Sequence, residues 1–512
     1  MIAEVQRKTT LRVAAMVLLL TSGALFEATR MPSLVSAGSA DIWGHLRVGT
    51  WILQNHSIPH SGVFSQSADL PWNDASWGFD ALLASGFRGL GMRSIPALQM
   101  GSKTALAIVA FLLAGGLRGR FWAAVTLSAL AQLVIAEIPL SPAFLSILLF
   151  GVELLLLMEF RRTGNVRLLF WLPVLFLVWA NLDAQFVLGI GLLFLLAATA
   201  WVERLQSQES PKPWSSYRAM VAAMALAVVV TFLTPNFYRS YQVFFAGVTS
   251  STNRYLPGFP AMTFKQPQDY LLLLLTMAAF LSLGMRRSRD PFRILLLIGC
   301  TLLSFHSQRD AWMVALGAVA IIGEAGRVEE GPRSVNDIVS RRARAMAVAL
   351  VTAAVLIAAL WRVPDNSALI AKVSEHYPVA ASDYIRSHQL EQPLFNAYEW
   401  GGFLMWYLPQ YPVSIDSRSS LYEDDFVIRY SKVMNAELPF TADPRFLQAR
   451  TILLPRDSVM GEALSSMASF KVVYADRVAV VLVKHSESGA RTEVSRGKHD
   501  TSAGEFEERA HD

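Results

Sequence analysis

Cysteine is almost missing from this chain: Cys300 is the one thiol in 512 residues. An intrachain disulfide and a Cys-based zinc cluster are thereby excluded. Charge is scarce as well. Only 17% of residues are Asp, Glu, Lys or Arg, against about 25% in soluble chains. This disfavours a disordered chain, a coiled coil and a soluble cytoplasmic enzyme. No Gly-x-x-x-x-Gly-Lys-Ser/Thr loop is present, so ATP-driven transport by this chain is unsupported. The His-Glu-x-x-His zinc motif is absent too, as is the Gly-x-Ser-x-Gly turn of lipase-type nucleophiles. No internal repeat of about 20–50 residues is evident.

What the chain has instead is apolar sequence. Hydrophobic residues make up 53% and mean hydropathy is +0.37. Apolar runs fall at 11–29, 95–117, 121–135, 143–158, 168–182, 186–202, 219–233, 270–285, 294–305, 311–323 and 345–361. These are eleven candidate membrane crossings. Several are shorter than the ~20 residues that a bilayer requires. The net charge of +5 could suggest nucleic acid, but in a membrane protein basic residues hold cytoplasmic loops in place. Alternate loops carry twenty basic residues on one side and eight on the other. The positive-inside rule then puts the N-terminus in the cytoplasm and everything after the eleventh crossing outside. Alternatively, the first run is a signal peptide, with Ala37–Ala40 as its small-residue cleavage site. Either way 41 emerges on the outer side.

After Trp361 the composition changes. Apolar runs shorten to strand length at 394–398, 412–416, 451–454, 471–474 and 478–484, with helix-like stretches at 384–390, 402–408, 424–434 and 459–467. This alternation predicts a small extracytoplasmic α/β domain over 362–485. Residues 486–512 are polar and read as a disordered tail. The fold expected is mostly α: a polytopic helix bundle over 1–361, then that outer domain.

The isolated polar groups gather on the outer face. The first outer loop, about 30–94, contains Asp41-Ile-Trp-Gly-His45-Leu-Arg47. Ile42, Leu46, Trp51 and Ile52 recur at near-helical spacing, which predicts an amphipathic helix along the interface with Trp43 and Trp51 in the headgroup belt. Trp72, Asn73, Asp74, Ser76 and Trp77 follow. The same pattern also fits a solvated, aromatic-anchored loop without chemistry. Two apolar stretches, 168–202 and 294–323, must each cross twice, because basic loops flank both ends. The first turns at Asn181-Leu182-Asp183-Ala184-Gln185. Arms of 12 or 13 residues in the second would rise only about 18–20 Å, short of ~30 Å of hydrocarbon. Its turn, with Arg309 and Asp310, is expected below the outer surface in a cavity, where ionisable groups are functional candidates. A local Arg309–Asp310 ion pair is the structural alternative. A loop from 234 to 269, with Arg254 and Lys265, is long enough for a lid, or is a mobile loop with scattered charges.

Asp41-Ile-Trp-Gly-His-Leu-Arg-Val-Gly-Thr-Trp-Ile-Leu, with Ile58-Pro59 and Phe64-Ser65, resembles the first outer loop of bacterial polytopic glycosyltransferases of the C superfamily, distant relatives of protein mannosyltransferases (family 39-like). Trp179-Ala-Asn-Leu, Ser307-Gln-Arg309, Phe395-Asn-Ala-Tyr-Glu-Trp-Gly-Gly-Phe-Leu and Val413-Ser-Ile-Asp-Ser-Arg-Ser-Ser-Leu-Tyr422 extend the likeness over most of the chain. The resemblance implies an inverting hexosyl or pentosyl transferase of the cytoplasmic membrane, with a polyprenyl-phosphate sugar as donor and a glycan, lipid or protein as acceptor. It implies Asp41 as the catalytic base. His45, Asp74 and Asp183 would orient the acceptor, and Arg309, Lys265 and Arg254 would bind the donor phosphate. Membrane lipid and lipid-linked sugar are the partners, and nucleic acid is not. A divalent cation is the one candidate cofactor, and no metal ligands are assigned. Two departures stand out: Ala75-Ser76 where relatives often carry His-Glu, and Asn181-Leu-Asp183-Ala where they often read Asn-x-His-Gly. Asp74 and Asp183 would compensate. A lipid or polysaccharide transporter subunit, or a non-catalytic scaffold presenting the outer domain, are the alternatives. A transporter would set its charged groups near the midplane on broken helices.

Overall fold

The computed structural model describes residues 2–35, 42–117, 120–136, 138–206, 214–254, 261–325 and 335–484. The expected tail and the signal-peptide cleavage stretch lie outside the described residues.

The helical part runs α1 (Ile2–Arg30), α2 (Pro32–Val35), α3 (Ile42–Asn55), α4 (Trp77–Leu90), α5 (Ser94–Leu113), α6 (Phe121–Ile135), α7 (Pro142–Thr163), α8 (Leu172–Leu182), α9 (Phe186–Gln206), α10 (Trp214–Val230), α11 (Arg239–Thr249), α12 (Pro267–Met285), α13 (Pro291–His306), α14 (Ala311–Ala325) and α15 (Val335–Arg362). Six stretches are long and apolar enough to cross a membrane. They lie in α1, α4–α5, α7, α9, α12 and α15, and they make this an integral membrane protein. The other expected crossings are α6, α8, α10, α13 and α14, of 11 to 17 residues. Helix punctuation follows local chemistry. Ser141 Oγ accepts from the Phe144 N–H, and Pro142 opens α7. Asp290 caps α13 in the same way. Gly164, at φ +69°, ends α7 in the left-handed region.

Two features differ from expectation. The apolar helix α4 precedes α5, and the pair is broken at Gly91, whose φ of +58° suits a residue without a Cβ. The hairpin arms α13 and α14 have 16 and 15 residues, not 12 or 13. They still rise only about 22–24 Å.

The C-terminal part runs α16 (Asn366–Val373), α17 (Val379–Ser387), β1 (Leu394–Asn396), α18 (Gly401–Tyr407), α19 (Asp424–Met434), α20 (Pro444–Gln448), β2 (Thr451–Pro455), α21 (Val459–Ser465), β3 (Phe470–Ala475) and β4 (Ala479–Lys484). Its sheet has the order β1-β2-β4-β3, with β1 parallel to β2 and the other pairs antiparallel. Ile452 faces Leu482 in register, and both are fully buried. The fifth expected strand, 412–416, does not join the sheet. Asn396 takes its backbone instead: Oδ1 accepts from the Ser414 N–H at 2.8 Å, and Nδ2 donates to the Ile415 carbonyl at 2.9 Å. The segment also pairs with the loop between α3 and α4, through Val413 N–H to Phe64 C=O and Gln66 N–H to Val413 C=O.

That pairing is one of several ties between loop and domain. Gln66 Nε2 donates to the Leu394 carbonyl at 2.6 Å. Arg445 donates to Ser67 Oγ and to the Ser414 carbonyl. Trp43, expected at the headgroups, is fully buried. It stacks on Trp406 of α18 at 4.7 Å, with Phe403 and Tyr377 edge-on. Trp51 packs against the same core. The apolar face of α3 therefore covers the C-terminal part, because α18 offers aromatic surface where lipid was expected.

Candidate active site

A cavity of about 260 Å³ opens where α3, the loop before α4, the α8–α9 turn, the α13–α14 turn and the 413–420 segment meet. Its wall from the first outer loop is built on a close helix crossing. A Cβ on Gly49 of α3 would overlap the Asp80 carbonyl of α4, so only glycine permits this approach. One turn earlier on the same face, His45 Nδ1 lies 2.7 Å from Asp80 Oδ1. The ring sits edge-on to Phe79 at 5.3 Å. Asp80 is 1% exposed, whereas the His45 side chain is 26% exposed; both line the cavity.

Asp74 completes this wall and is 1% exposed. Its Oδ1 accepts from the Ser76 N–H at 3.0 Å and the Ser76 hydroxyl at 3.2 Å. As an acceptor, its Oδ2 faces no donor. Burial, and then the Asp80 carboxylate beside it, hold the Asp74 carboxyl well above the usual carboxylate range. Asn236 Nδ2 fixes the backbone here by donating to the Asp74 carbonyl.

The opposite wall comes from the two hairpin turns. Ser146 of α7 donates to Asp183 Oδ2 at 2.6 Å and accepts from Trp179 Nε1 at 2.7 Å. Trp77 Nε1 donates to Asn181 Oδ1 at 3.0 Å, tying this turn to the start of α4. Ser304 stitches the other turn: its hydroxyl donates to the Asp310 carbonyl and accepts from the Val314 N–H. Arg309 is exposed and lines the cavity with Asp183. The C-terminal part supplies the roof. Arg418 donates from Nε to Asp416 Oδ1 at 2.9 Å and from Nη2 to Oδ2 at 2.8 Å, and from Nη1 to the Val63 carbonyl at 3.1 Å. Its guanidinium lies 4.9 Å from the centre of the Trp72 ring.

Of the residues expected from the sequence, His45, Asp74, Asp183 and Arg309 share this cavity. Lys265 is exposed and is not among the lining residues; the segment just before it packs on the α13–α14 turn, with the Met262 N–H donating to the Phe305 carbonyl. Asp41 and the Arg254 side chain lie outside the described residues. Sequence reasoning passed over Asp80, Asp416 and Arg418. Asp80 was legible as an acidic residue in the first turn of an apolar helix. Asp416 and Arg418 could be placed only once the 412–416 segment was seen to leave the sheet. The expected lid is in part a helix: α11 brings Val243 to the cavity rim, and Asp424 accepts hydrogen bonds from Ser250 and Ser251 just after it. Among the described residues, no group of three or more His, Cys, Asp or Glu side chains is placed to hold a metal ion.

No protein-family model and no curated protein sequence matches the chain. Solved structures do. The crystal structure of the Archaeoglobus fulgidus oligosaccharyltransferase, tethered by a disulfide to an acceptor peptide containing the NVT sequon, is similar with a TM-score of 0.50 and 10% identity. The match covers 86% of this chain and 69% of that one. ArnT from Cupriavidus metallidurans, bound to undecaprenyl phosphate, aligns with a TM-score of 0.45 and 13% identity, over 93% of this chain and 98% of that one. The likeness to the oligosaccharyltransferase is one of fold.

Proposed function

We propose that this chain is a membrane glycosyltransferase that moves a sugar from a polyprenyl-phosphate carrier to an acceptor hydroxyl or amide at the outer face of the cytoplasmic membrane. One observation carries the reading: a single cavity between membrane helices and outer domain holds a carboxylate–imidazole wall facing Arg309. Transfer from a lipid phosphate needs both: a group to take the acceptor's proton, and a cation to hold the leaving phosphate. Arg309, on a hairpin too short to clear the membrane, meets a lipid headgroup at its own depth, and its planar fork suits phosphate oxygens. Asp183, held by Ser146, orients the acceptor. The resemblance assigns the base to Asp41, which immediately precedes α3. A solved oligosaccharyltransferase of the same fold, tethered to an acceptor peptide, supports the transferase reading.

The test is direct. Purified full-length chain is incubated with a panel of labelled undecaprenyl-phosphate hexoses and pentoses, and release of undecaprenyl phosphate is measured. Release dependent on the chain and lost in Arg309→Ala supports the reading. Comparing the surface glycans of cells with and without the chain then identifies the acceptor. No release from any donor, and unchanged glycans, would sink it.

A further inference from the structure

The wall around His45 is built more elaborately than a tie between two helices requires. The His45 Nδ1 to Asp80 Oδ1 distance is 2.7 Å, with Asp80 1% exposed. With the shared hydrogen on Nδ1 and Asp80 accepting it, the ring's other nitrogen, Nε2, keeps a lone pair. The partly exposed imidazole belongs to the cavity wall. Charged and titratable groups surround it on several sides. Asp80 comes from α4, Asp74 from the loop before it and Asp183 from the α8–α9 turn. Arg309 comes from the α13–α14 turn, and Asp416 and Arg418 from the outer domain. From α18, which packs on α3, the cavity receives only the apolar Met405. Asp74, hydrogen-bonded by Ser76, lies near enough for both Asp80 and His45 to act on its carboxyl.

We infer that His45 takes the acceptor's proton in this site, and that Asp80 is the residue that positions it. The inference rests on the glycosyl-transfer reading and changes one point in it: the proton goes to an imidazole four residues along the chain from Asp41. As the acceptor attacks, its O–H (or N–H) bond breaks and its electron pair forms the bond to the sugar's anomeric carbon. The bond from that carbon to the phosphate oxygen breaks, and its pair stays on the phosphate beside Arg309. The proton ends on His45 Nε2. No co-reactant is needed.

An imidazole changes charge between about pH 5 and 8, and an ordinary carboxylate below that range. The wild-type chain, assayed with whichever undecaprenyl-phosphate sugar it turns over, should show kcat/KM rising through that window. His45→Gln should lower kcat/KM by roughly 10²–10⁴-fold and abolish the rise. Asp80→Asn would turn an amide N–H toward Nδ1 and force the hydrogen onto Nε2, so it should also lose activity. Asp80→Glu should recover part of it, which a purely structural tie would not require. Asp41→Asn should retain the pH-dependent rise. A flat wild-type profile overturns the inference, as does His45→Gln with wild-type rate and rise. A second arm needs no turnover. In ring-¹⁵N-histidine-labelled full-length protein, the signal missing from His45→Gln should report hydrogen on Nδ1 and a bare Nε2 at alkaline pH. Hydrogen on Nε2 overturns the inference even if no donor is found, whereas absence of turnover alone counts against the glycosyl-transfer reading.

Discussion

Arg418 grips Asp416 two residues away through two parallel hydrogen bonds of 2.9 and 2.8 Å, and Tyr422 donates a third to Asp416 Oδ2 at 2.8 Å. Neither member of the ion pair is more than 8% exposed. Removing one partner of such a buried pair strands the other charge. Asp416→Ala should therefore cost about 3–5 kcal/mol of stability, read as a lowered melting temperature of the detergent-purified chain. A mutant as stable as wild type would mean that the pair is not holding the roof.

The same pair has an acid limit. Burial alone would raise the Asp416 carboxyl, but Arg418 beside it holds it below the usual carboxylate range. The folded state then binds fewer protons here than the unfolded state does. The stability contributed is present above about pH 4 and is lost as pH falls through the folded value. Hydrogen exchange in 413–422 should accelerate below pH 4, and Arg418→Lys, which loses the fork, should move that onset upward. Exchange independent of pH between 3 and 6 would remove the pair from this role.

Asp74 behaves oppositely. Its carboxyl is raised by burial and by Asp80, so the folded state binds more protons than the unfolded state above about pH 4. Stability should fall with rising pH until the folded value is passed. Asp74→Asn keeps the shape and a donor without the ionisation, so it should flatten that slope and melt no lower than wild type at pH 8. A mutant that loses stability equally at every pH would show that Asp74 is needed as a carboxylate.

Arg309 offers a donor-side prediction. Arg309→Lys keeps charge and loses the planar fork; Arg309→Ala loses both. Donor binding should weaken in that order, with the alanine variant weaker by roughly 10–100-fold, the equivalent of a lost charged hydrogen bond. Asp310 is adjacent in sequence, so the swap Arg309→Asp with Asp310→Arg separates a local ion pair from a phosphate contact. Full activity in the swap would end the phosphate role.

Orientation is tested by reporter fusions. Twenty basic residues against eight predict cytoplasmic loops at Arg120, Arg162, Arg204, Arg287 and Arg341. Fusions at Asp74 and Leu421 should report the outside. A cytoplasmic Leu421 would overturn both the topology and the proposed side of the reaction.

Much of this architecture was written locally. Apolar runs marked the membrane helices, because hydrocarbon length sets a minimum that sequence must meet. Ser141, Asp290 and Gly164 announced helix ends through bonds to near neighbours. Within the site, His45, Asp74, Asp183 and Arg309 were visible as isolated polar groups on one side of a greasy chain, where an unneeded charge is expensive. Other features depended on partners distant in sequence. Trp43 looked like a headgroup anchor because its amphipathic helix had an apolar face and no visible partner. Only the fold set the aromatic surface of α18 there, 360 residues later. The 412–416 run looked like a strand because it has strand composition. Asn396 and the first outer loop bind its backbone instead, and that swings Asp416 and Arg418 over the cavity. Asp80 read as one acid in an apolar stretch until the Gly49 crossing brought His45 against it. A sequence can state which side chains must leave lipid or water, but which of them meet depends on backbone approaches and hydrogen bonds that only the folded chain creates.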